Sequence, residues 1–217
     1  MIQDYDSLIK SIKNNEYIHT LDEYNNEIPE DIKLYNKLLI ESKDIQNGFG
    51  WTVLMNICIF YNHNNLPKLV ELLKDTSNLQ NKSGYTALMY ACQYCTQDNI
   101  LDIIKLLKDS IHLQNKDGCT ALMYACMYCK NGDLPKIVEI LKDTAHIQDM
   151  NTWTALMYVC QYYKHDNLYK VISILKNTIH LQKNDIPIQR HNGWIDFIHT
   201  YIYYIYYKVY KVIYLRR

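Results

Sequence analysis

The sequence predicts an all-α solenoid made of stacked helix-turn-helix repeats that are joined by short finger loops. Four copies of one phrase begin at Gly50, Gly84, Gly118 and Thr152, each 34 residues after the last. Within each copy the apolar residues recur at spacings of three and four, which is typical of one face of a helix. A short unit that recurs at a fixed period cannot bury its apolar face alone, so neighbouring units are expected to stack.

The third copy shows the order of elements most clearly. It begins with a turn at residues 115–118, in which Gly118 is free to adopt a positive φ. Thr120 is then placed to cap a helix that starts at Ala121, because a threonine oxygen at this position accepts a backbone hydrogen bond from the first turn. The same role is predicted for the equivalent threonines, Thr52, Thr86 and Thr154.

Two amphipathic helices are predicted to follow this turn. The first helix is expected to bury a face made of Leu122, Ala125, Cys126 and Cys129. After an interruption at 131–133, the second helix is expected to direct inward Leu134, Ile137, Val138, Ile140 and Leu141. Residues 142–144 should close the second helix, and a short extended stretch should lead into the next turn.

The same register divides the whole chain. Residues 1–46 are predicted to form a helical cap with a half repeat, in which Leu8, Ile9 and Ile12, and then Tyr17, Ile18 and Leu21, cover the first repeat. The four repeats then span 47–80, 81–114, 115–148 and 149–182. Residues 183–217 are interpreted as a degenerate fifth repeat or an irregular tyrosine-rich tail, and one long helix is a further alternative.

The repeated head, Gly-x-Thr-Ala-Leu-Met-Tyr-Ala, followed by two helices resembles the ankyrin repeat, whose head reads Thr-Pro-Leu-His-x-Ala. The resemblance covers residues 47–182, whereas the pattern of the tetratricopeptide repeat, which has the same length, is absent. In this head, alanine replaces the proline at the first helical position and methionine replaces the histidine. With these two replacements the chain resembles the ankyrin proteins of giant DNA viruses of amoebae. The resemblance implies an ankyrin-type solenoid that binds a protein partner on its concave face without catalysis.

Composition and motifs exclude several other classes of function. The net charge of +0 gives no general attraction to nucleic acid or to anionic membranes. No uncharged apolar run approaches the roughly 18 residues of a membrane helix, and no signal peptide is visible at Met1 to Lys10. We therefore expect a cytoplasmic monomer with seven reduced cysteines and no cofactor. No catalytic triad, phosphate-binding loop or carboxylate pair predicts an enzyme.

Two cysteine pairs invite a zinc hypothesis. Cys92 with Cys95 and Cys126 with Cys129 have the spacing of zinc ligands. However, the pairs are one period apart, and the equivalent positions hold Cys58 with Tyr61 and Cys160 with Tyr163. Because tyrosine does not substitute for a thiolate ligand here, packing is the predicted role of these cysteines. A structural zinc site is kept as the third functional hypothesis.

Two columns of equivalent residues are candidate partner-binding sites. The position after the head glycine holds Trp51, Tyr85, Cys119 and Trp153, and in ankyrin proteins it lies at the finger facing the concave surface. These residues either anchor a partner at an interface or pack against neighbouring fingers. The links between repeats carry His112, His146 and His180. These histidines could contact a partner, bind a metal or respond to mild acidity. The alternative is that they form hydrogen bonds within the loop or are simply exposed.

A second functional hypothesis concerns the end of the chain. Some viral ankyrin proteins carry a C-terminal F-box-like segment and act as substrate adaptors for a ubiquitin ligase. Residues 183–217 do not recognisably match such a segment. The adaptor role therefore ranks below simple protein binding.

Overall fold

The structure is a computed structural model of the 217-residue chain. It describes residues 5–13, 37–94, 99–129 and 132–176, and within these ranges the chain forms helices, turns and loops without any strand. Several predictions fall outside the described residues, namely those for Tyr17, Ile18, Leu21, Cys95, His180 and 183–217.

The helices alternate along the described chain as the repeat pattern predicts. They are α1 (Tyr5–Lys13), α2 (Val53–Phe60), α3 (Leu66–Leu73), α4 (Ala87–Gln93), α5 (Ile100–Leu106), α6 (Ala121–Tyr128), α7 (Leu134–Leu141), α8 (Ala155–Tyr162) and α9 (Leu168–Lys176). Residues 37–41 are also helical. Single turns of 3-10 helix follow three of the second helices, at Lys74–Thr76, Lys108–Ser110 and Lys142–Thr144.

The helices form two layers with one continuous core between them. The first helices α2, α4, α6 and α8 pack in sequence, and the second helices α3, α5, α7 and α9 form a parallel file behind them. Helix α1 packs on α2, and its Leu8 and Ile12 are fully buried. The core runs through every described repeat without interruption, which confirms the all-α stacked architecture.

The predicted inward faces of the third repeat are confirmed with one difference. Leu122, Ala125, Cys126 and Cys129 are buried, as are the predicted inward residues of α7 other than Ile140. Ile140 is half-buried and packs on the edge of the core. Residues 142–144, predicted to close the second helix, form the 3-10 turn, and two further turn residues, 145 and 146, follow it before the stretch that leads into the next finger. The Thr144 hydroxyl stabilises this turn by donating to the Leu141 carbonyl at 3.0 Å.

Threonine caps begin three of the first helices. The hydroxyl oxygens of Thr52, Thr86 and Thr120 accept the backbone N–H three residues later, at 3.2, 3.2 and 3.4 Å. The cap predicted at Thr154 is wrong, because its side chain makes no capping hydrogen bond. Its backbone still adopts the extended conformation of the other caps, and its carbonyl accepts the N–H of Tyr158, so backbone geometry alone starts α8.

Neighbouring fingers contact each other through their backbones. The N–H groups of Lys82, Lys116 and Met150 donate to a carbonyl of the preceding finger at 3.0, 3.0 and 2.9 Å. At this junction Gly84 has φ +81°, and a Cβ built on it would lie 2.8 Å from the Cα of Asn115. Glycine is therefore required here both by the left-handed backbone and by the close approach of the next finger.

A glutamine in each link connects the same fingers from the side. The Gln80 side-chain amide donates to the carbonyl of Gly84 in the finger that follows it at 2.6 Å and to that of Gln114, the equivalent glutamine of the next link, at 3.0 Å. Gln46 and Gln114 make the equivalent pairs of bonds. Each of these glutamines therefore fixes the finger that follows it and ties that finger to the next link.

Replacing Gly84 with alanine is expected to destabilise the stack by about 2 kcal/mol or more, because the new Cβ combines left-handed strain with a backbone clash. The measurement is the free energy of unfolding from urea titration. Gly48→Ala is the matched control, since a Cβ at Gly48 meets no atom within 4 Å. Equal stability of the two variants would contradict the close-approach argument.

The fourth finger offers the reverse test. Thr152 takes the place of the head glycine but keeps a left-handed φ of 67°, which is strained for a β-branched residue. Thr152→Gly is expected to raise the free energy of unfolding by about 1 kcal/mol, since the strain relieved exceeds the added entropy of the unfolded chain. A decrease in thermal stability on this substitution would show that the finger does not carry this strain.

Candidate functional site

A single side chain organises each finger. Asn47, Asn81, Asn115 and Asp149 each present Oδ1 to the backbone N–H groups two and four residues later, at 2.8 to 3.1 Å. The backbone of the same four residues also closes the loop. The carbonyl of each accepts a hydrogen bond from the N–H of the residue three positions later, and its N–H donates to the carbonyl of the residue four positions later. The residue after the head glycine is thereby held in one orientation, toward the first helices.

The aromatic residues at this position pack across the repeats. Trp51 stacks on Tyr90 of the next repeat with ring centroids 4.9 Å apart, and Tyr85 stacks on the same ring at 5.1 Å. Trp153 contacts Tyr158 at 5.1 Å. Trp51, Tyr85 and Trp153 are half-buried, so much of each ring serves packing and an edge is left on the surface.

Hydroxyl and amide groups join these rings to the turns. The side-chain amides of Asn81 and Asn115 donate to the hydroxyls of Tyr90 and Tyr124 at 2.9 and 3.1 Å. The Tyr124 hydroxyl in turn donates to that of Tyr85 at 2.7 Å. Burial and this bond hold the pKa of Tyr124 well above its usual range. Tyr124 therefore keeps its proton at neutral pH, and the hydrogen bonds set the positions of the rings.

The fourth repeat uses a carboxylate in the same place. The Tyr158 hydroxyl donates to the Asp149 carboxylate at 2.5 Å, and it is also hydrogen-bonded to the thiol of Cys119. Cys119 is only 7% exposed, and burial, followed by the charge of Asp149, raises the pKa of its thiol to about 11. Cys119 is therefore a packing residue of the finger column, and it has no activated thiolate.

A second aromatic column lies outside the first and was missed by the sequence analysis. This outer aromatic row consists of Phe60, Tyr94, Tyr128 and Tyr162, again at intervals of 34 residues. Its members are 38% to 52% exposed. Tyr128 and Tyr162 stack on the tyrosine one turn earlier in the same helix, with centroids 6.1 and 6.2 Å apart. Extending the 34-residue comparison to the tenth position after the head glycine would have found it.

The helices that carry this row have no charged residue. The sequences of α2, α4, α6 and α8 contain only apolar side chains, tyrosine, asparagine and glutamine. Charged residues lie instead on the second helices, where pairs such as Glu71 with Lys74 and Asp102 with Lys105 face solvent. Among the described residues, the outer aromatic row is thus an exposed aromatic surface at the ends of uncharged helices, and the stacking of Tyr128 on Tyr124 joins it to the rings at the fingers.

A family model described as ankyrin repeats (3 copies) matches residues 28–110 and 93–185. The chain belongs to the ankyrin-repeat family. Ankyrin repeats form protein-interaction modules and are typically non-enzymatic. A comparison with curated proteins gave no match. Among the described residues, none of the helices combines the length and the apolarity needed to cross a bilayer.

The histidine column of this ankyrin stack lies in the links between repeats. His112 and His146 are exposed, and His180 lies outside the described residues. Across the described part of the chain, no group of three or more His, Cys, Asp or Glu side chains is arranged to hold a metal ion.

The repeated cysteines lie in the core between the two helical layers. Cys58, Cys92, Cys126 and Cys160 are buried free thiols, and so is Cys129. Tyr61 and Tyr163, which replace the second cysteine of the pair, are buried as well. Burial raises the pKa of Cys58 to about 12 and that of Cys160 to about 11. These side chains act as small apolar residues, as predicted from the exchange with tyrosine.

Buried thiols with a raised pKa predict a loss of stability at high pH. The pKa of Cys58 in the folded chain lies above its ordinary value of 9.0, so its contribution to folding is complete below pH 9 and is lost as the pH rises toward 12. Above pH 9 the unfolded chain ionises first, and the free energy of unfolding should fall by about 1.4 kcal/mol per pH unit for each such thiol.

The measurement is a series of urea titrations between pH 8 and 11, near the folded pKa of Cys160. In the matched variant Cys58→Ala the free energy of unfolding should fall less steeply with pH, because unfolding of this variant releases one proton fewer. A free energy of unfolding that does not change over this range would show that the thiols are not buried as described.

Proposed function

We propose that this ankyrin protein binds a protein partner, without catalysis, on the concave face formed by its fingers and first helices. The observation that carries the proposal is the outer aromatic row, which stays exposed on helices that have no charge. Exposed aromatic surface of this extent costs free energy in water and is typical of a contact surface. Tyrosine is also among the residues that dominate binding energies at protein interfaces.

The packing beneath the row favours binding because it orders the surface in advance. Tyr124 is fixed by Asn115 and Tyr85, and Tyr128 stacks on Tyr124. Rings that are already ordered lose little conformational entropy when a partner arrives, so more of the contact energy appears as affinity. The partner's surface would meet a rigid strip rather than a set of mobile side chains.

The predicted site residues take different roles in this proposal. Trp51, Tyr85 and Trp153 support the concave face and present ring edges to the partner, whereas Cys119 packs beneath it. His112 and His146 lie in the exposed links. A role for the histidine column in binding, with His180 as its third member, stays a prediction.

The cellular context is likewise a proposal. All six cysteines in the described ranges are free thiols, which supports a reducing compartment such as the cytoplasm. A monomeric state, a relationship to viral ankyrin proteins and a host protein as the partner stay predictions. The adaptor role in ubiquitin ligation depends on residues 183–217, which lie outside the described residues.

The test is affinity capture from cytosol with the full chain and a double variant, Tyr94→Ala with Tyr128→Ala. We expect the double variant to lose captured partners by about tenfold or more, since aromatic anchors dominate interface energies. Tyr169→Ala is the matched control, because Tyr169 is 63% exposed but lies on the second helix α9. Equal capture by all three proteins, with unchanged circular dichroism, would refute a concave binding face.

A further inference from the structure

We propose that Asn47 is a modification site, at which the side-chain amide is lost spontaneously and the residue becomes aspartate or isoaspartate. The inference does not depend on the proposed function. It rests on the three groups that the reaction uses: the attacking backbone nitrogen, the leaving amide and the side-chain carbonyl between them. The equivalent residues Asn81 and Asn115 serve as the comparison within the same chain.

The reaction consumes water and releases ammonia. The backbone nitrogen of the following residue gives up its proton to solvent and attacks Cγ of the asparagine, so an N–Cγ bond forms and negative charge gathers on Oδ1. The Cγ–Nδ2 bond then breaks, Nδ2 takes up a proton, and ammonia leaves a cyclic imide. Water opens the imide at either of its carbonyls. One opening gives aspartate, and the other gives isoaspartate, whose main chain runs through the former side chain.

The attacking nitrogen is free at Asn47 and engaged at its equivalents. The residues after Asn81 and Asn115 each donate their N–H to the preceding finger at 3.0 Å. Gly48 follows Asn47 in the first finger, before which the structure describes no other, and its N–H makes no hydrogen bond with the described part of the chain. Glycine also has no side chain to hinder the attack, and a Cβ built at Gly48 meets no atom within 4 Å, so the surroundings are open.

The leaving amide differs in the same way. The Nδ2 groups of Asn81 and Asn115 donate to buried tyrosine hydroxyls at 2.9 and 3.1 Å, and both asparagines are themselves buried. In place of these tyrosines the first repeat has Asn56, whose side chain donates to the Thr52 carbonyl. Asn47 is exposed, and within the described ranges its Nδ2 donates to no other group. Ammonia can therefore leave to solvent, and water can reach the imide.

The carbonyl under attack is already polarised. Oδ1 of Asn47 accepts hydrogen bonds from the N–H groups of Phe49 and Trp51 at 2.9 and 3.0 Å. These donors lie where negative charge develops as the nitrogen attacks, and such donors stabilise an oxyanion. Asn81 has the same pair of donors. The turn therefore activates the carbonyl in both fingers, and the free nitrogen and free amide select Asn47.

The two products differ in their effect on the finger. Asp149 holds the equivalent place in the fourth finger, where its Oδ1 accepts the same two N–H groups at 2.8 Å. The aspartate product should therefore keep the turn and add a negative charge. Isoaspartate lengthens the main chain by one carbon and makes the former Oδ1 a peptide oxygen, so Trp51 should lose its fixed position against Tyr90.

Incubation of the full chain in mildly alkaline buffer tests the inference, with peptide mapping by mass spectrometry to follow the exchange of NH2 for OH at each asparagine. Asn47 is expected to react at least about tenfold faster than Asn81 or Asn115, since two hydrogen bonds must break at those residues before the ring can close. Gly48→Ala should slow the reaction at Asn47 while leaving the urea midpoint unchanged, because its Cβ hinders the nitrogen but contacts nothing else.

The variant Lys82→Gly separates the effect of the fold from that of a following glycine. It places glycine after Asn81, while the backbone N–H still joins the preceding finger and the amide of Asn81 still bonds its tyrosine. In the folded variant Asn81 should react at least about tenfold more slowly than Asn47, and in urea the two rates should become equal. Circular dichroism in the absence of urea establishes that the variant is folded.

Two results would overturn the inference. Equal rates at Asn47 and Asn81 in folded Lys82→Gly would show that the fold does not select the site. An Asn47 that stays intact in the folded chain but reacts in urea would show that the first finger is protected like the others. Faster reaction at Asn47 in both folded proteins, with the difference abolished by urea, supports the assignment.

Discussion

The contact between neighbouring finger backbones is the constraint on which the rest of this stack depends. An N–H at the tip of one finger donates to a carbonyl of the finger before it, and the head glycine leaves room for no side chain between them. Because this contact is identical at each of three junctions, the repeats follow each other at one spacing and orientation. The file of first helices, and with it the regular outer aromatic row, results from that uniformity.

Two polar side chains make the uniform contact possible. The asparagine or aspartate of each turn satisfies backbone donors that an exposed loop would otherwise leave to water, and the glutamine of the link binds one carbonyl in the following finger and one in the next link. Each turn is therefore ordered partly by its own residues and partly by its neighbour. Such coupling between nearest neighbours is the expected source of cooperative unfolding in a linear array.

Much of the fold could be predicted because the same sequence pattern occurs in four repeats and equivalent positions can be compared. The starts of the first helices, the inward faces and the packing role of cysteine all follow from comparing equivalent positions, and the described residues bear them out. The missing cap at Thr154 could not be predicted, because its backbone conformation and its sequence position equal those of the three threonines that do form caps.

The candidate site was only half predictable, for a related reason. Trp51 and Tyr85 reach across to a ring of the adjacent repeat, and a contact between repeats has no signature within one repeat. The outer aromatic row was hidden because Tyr128 lies one helical turn after the buried Tyr124, so both fall on the same apolar stripe. The helix ends at this row, and only the structure shows that the stripe emerges into solvent there.

The absence of charge on the first helices has a consequence for how the protein is made. While the chain leaves the ribosome, each first helix emerges before its own second helix and before the repeat that will cover it. For that interval an uncharged and apolar segment is open to contact with other nascent chains, and within its own length it has no charged residue that would suppress aggregation. Production of the protein should therefore depend on how quickly successive repeats dock, and it should be sensitive to translation rate and to chaperones that hold apolar segments.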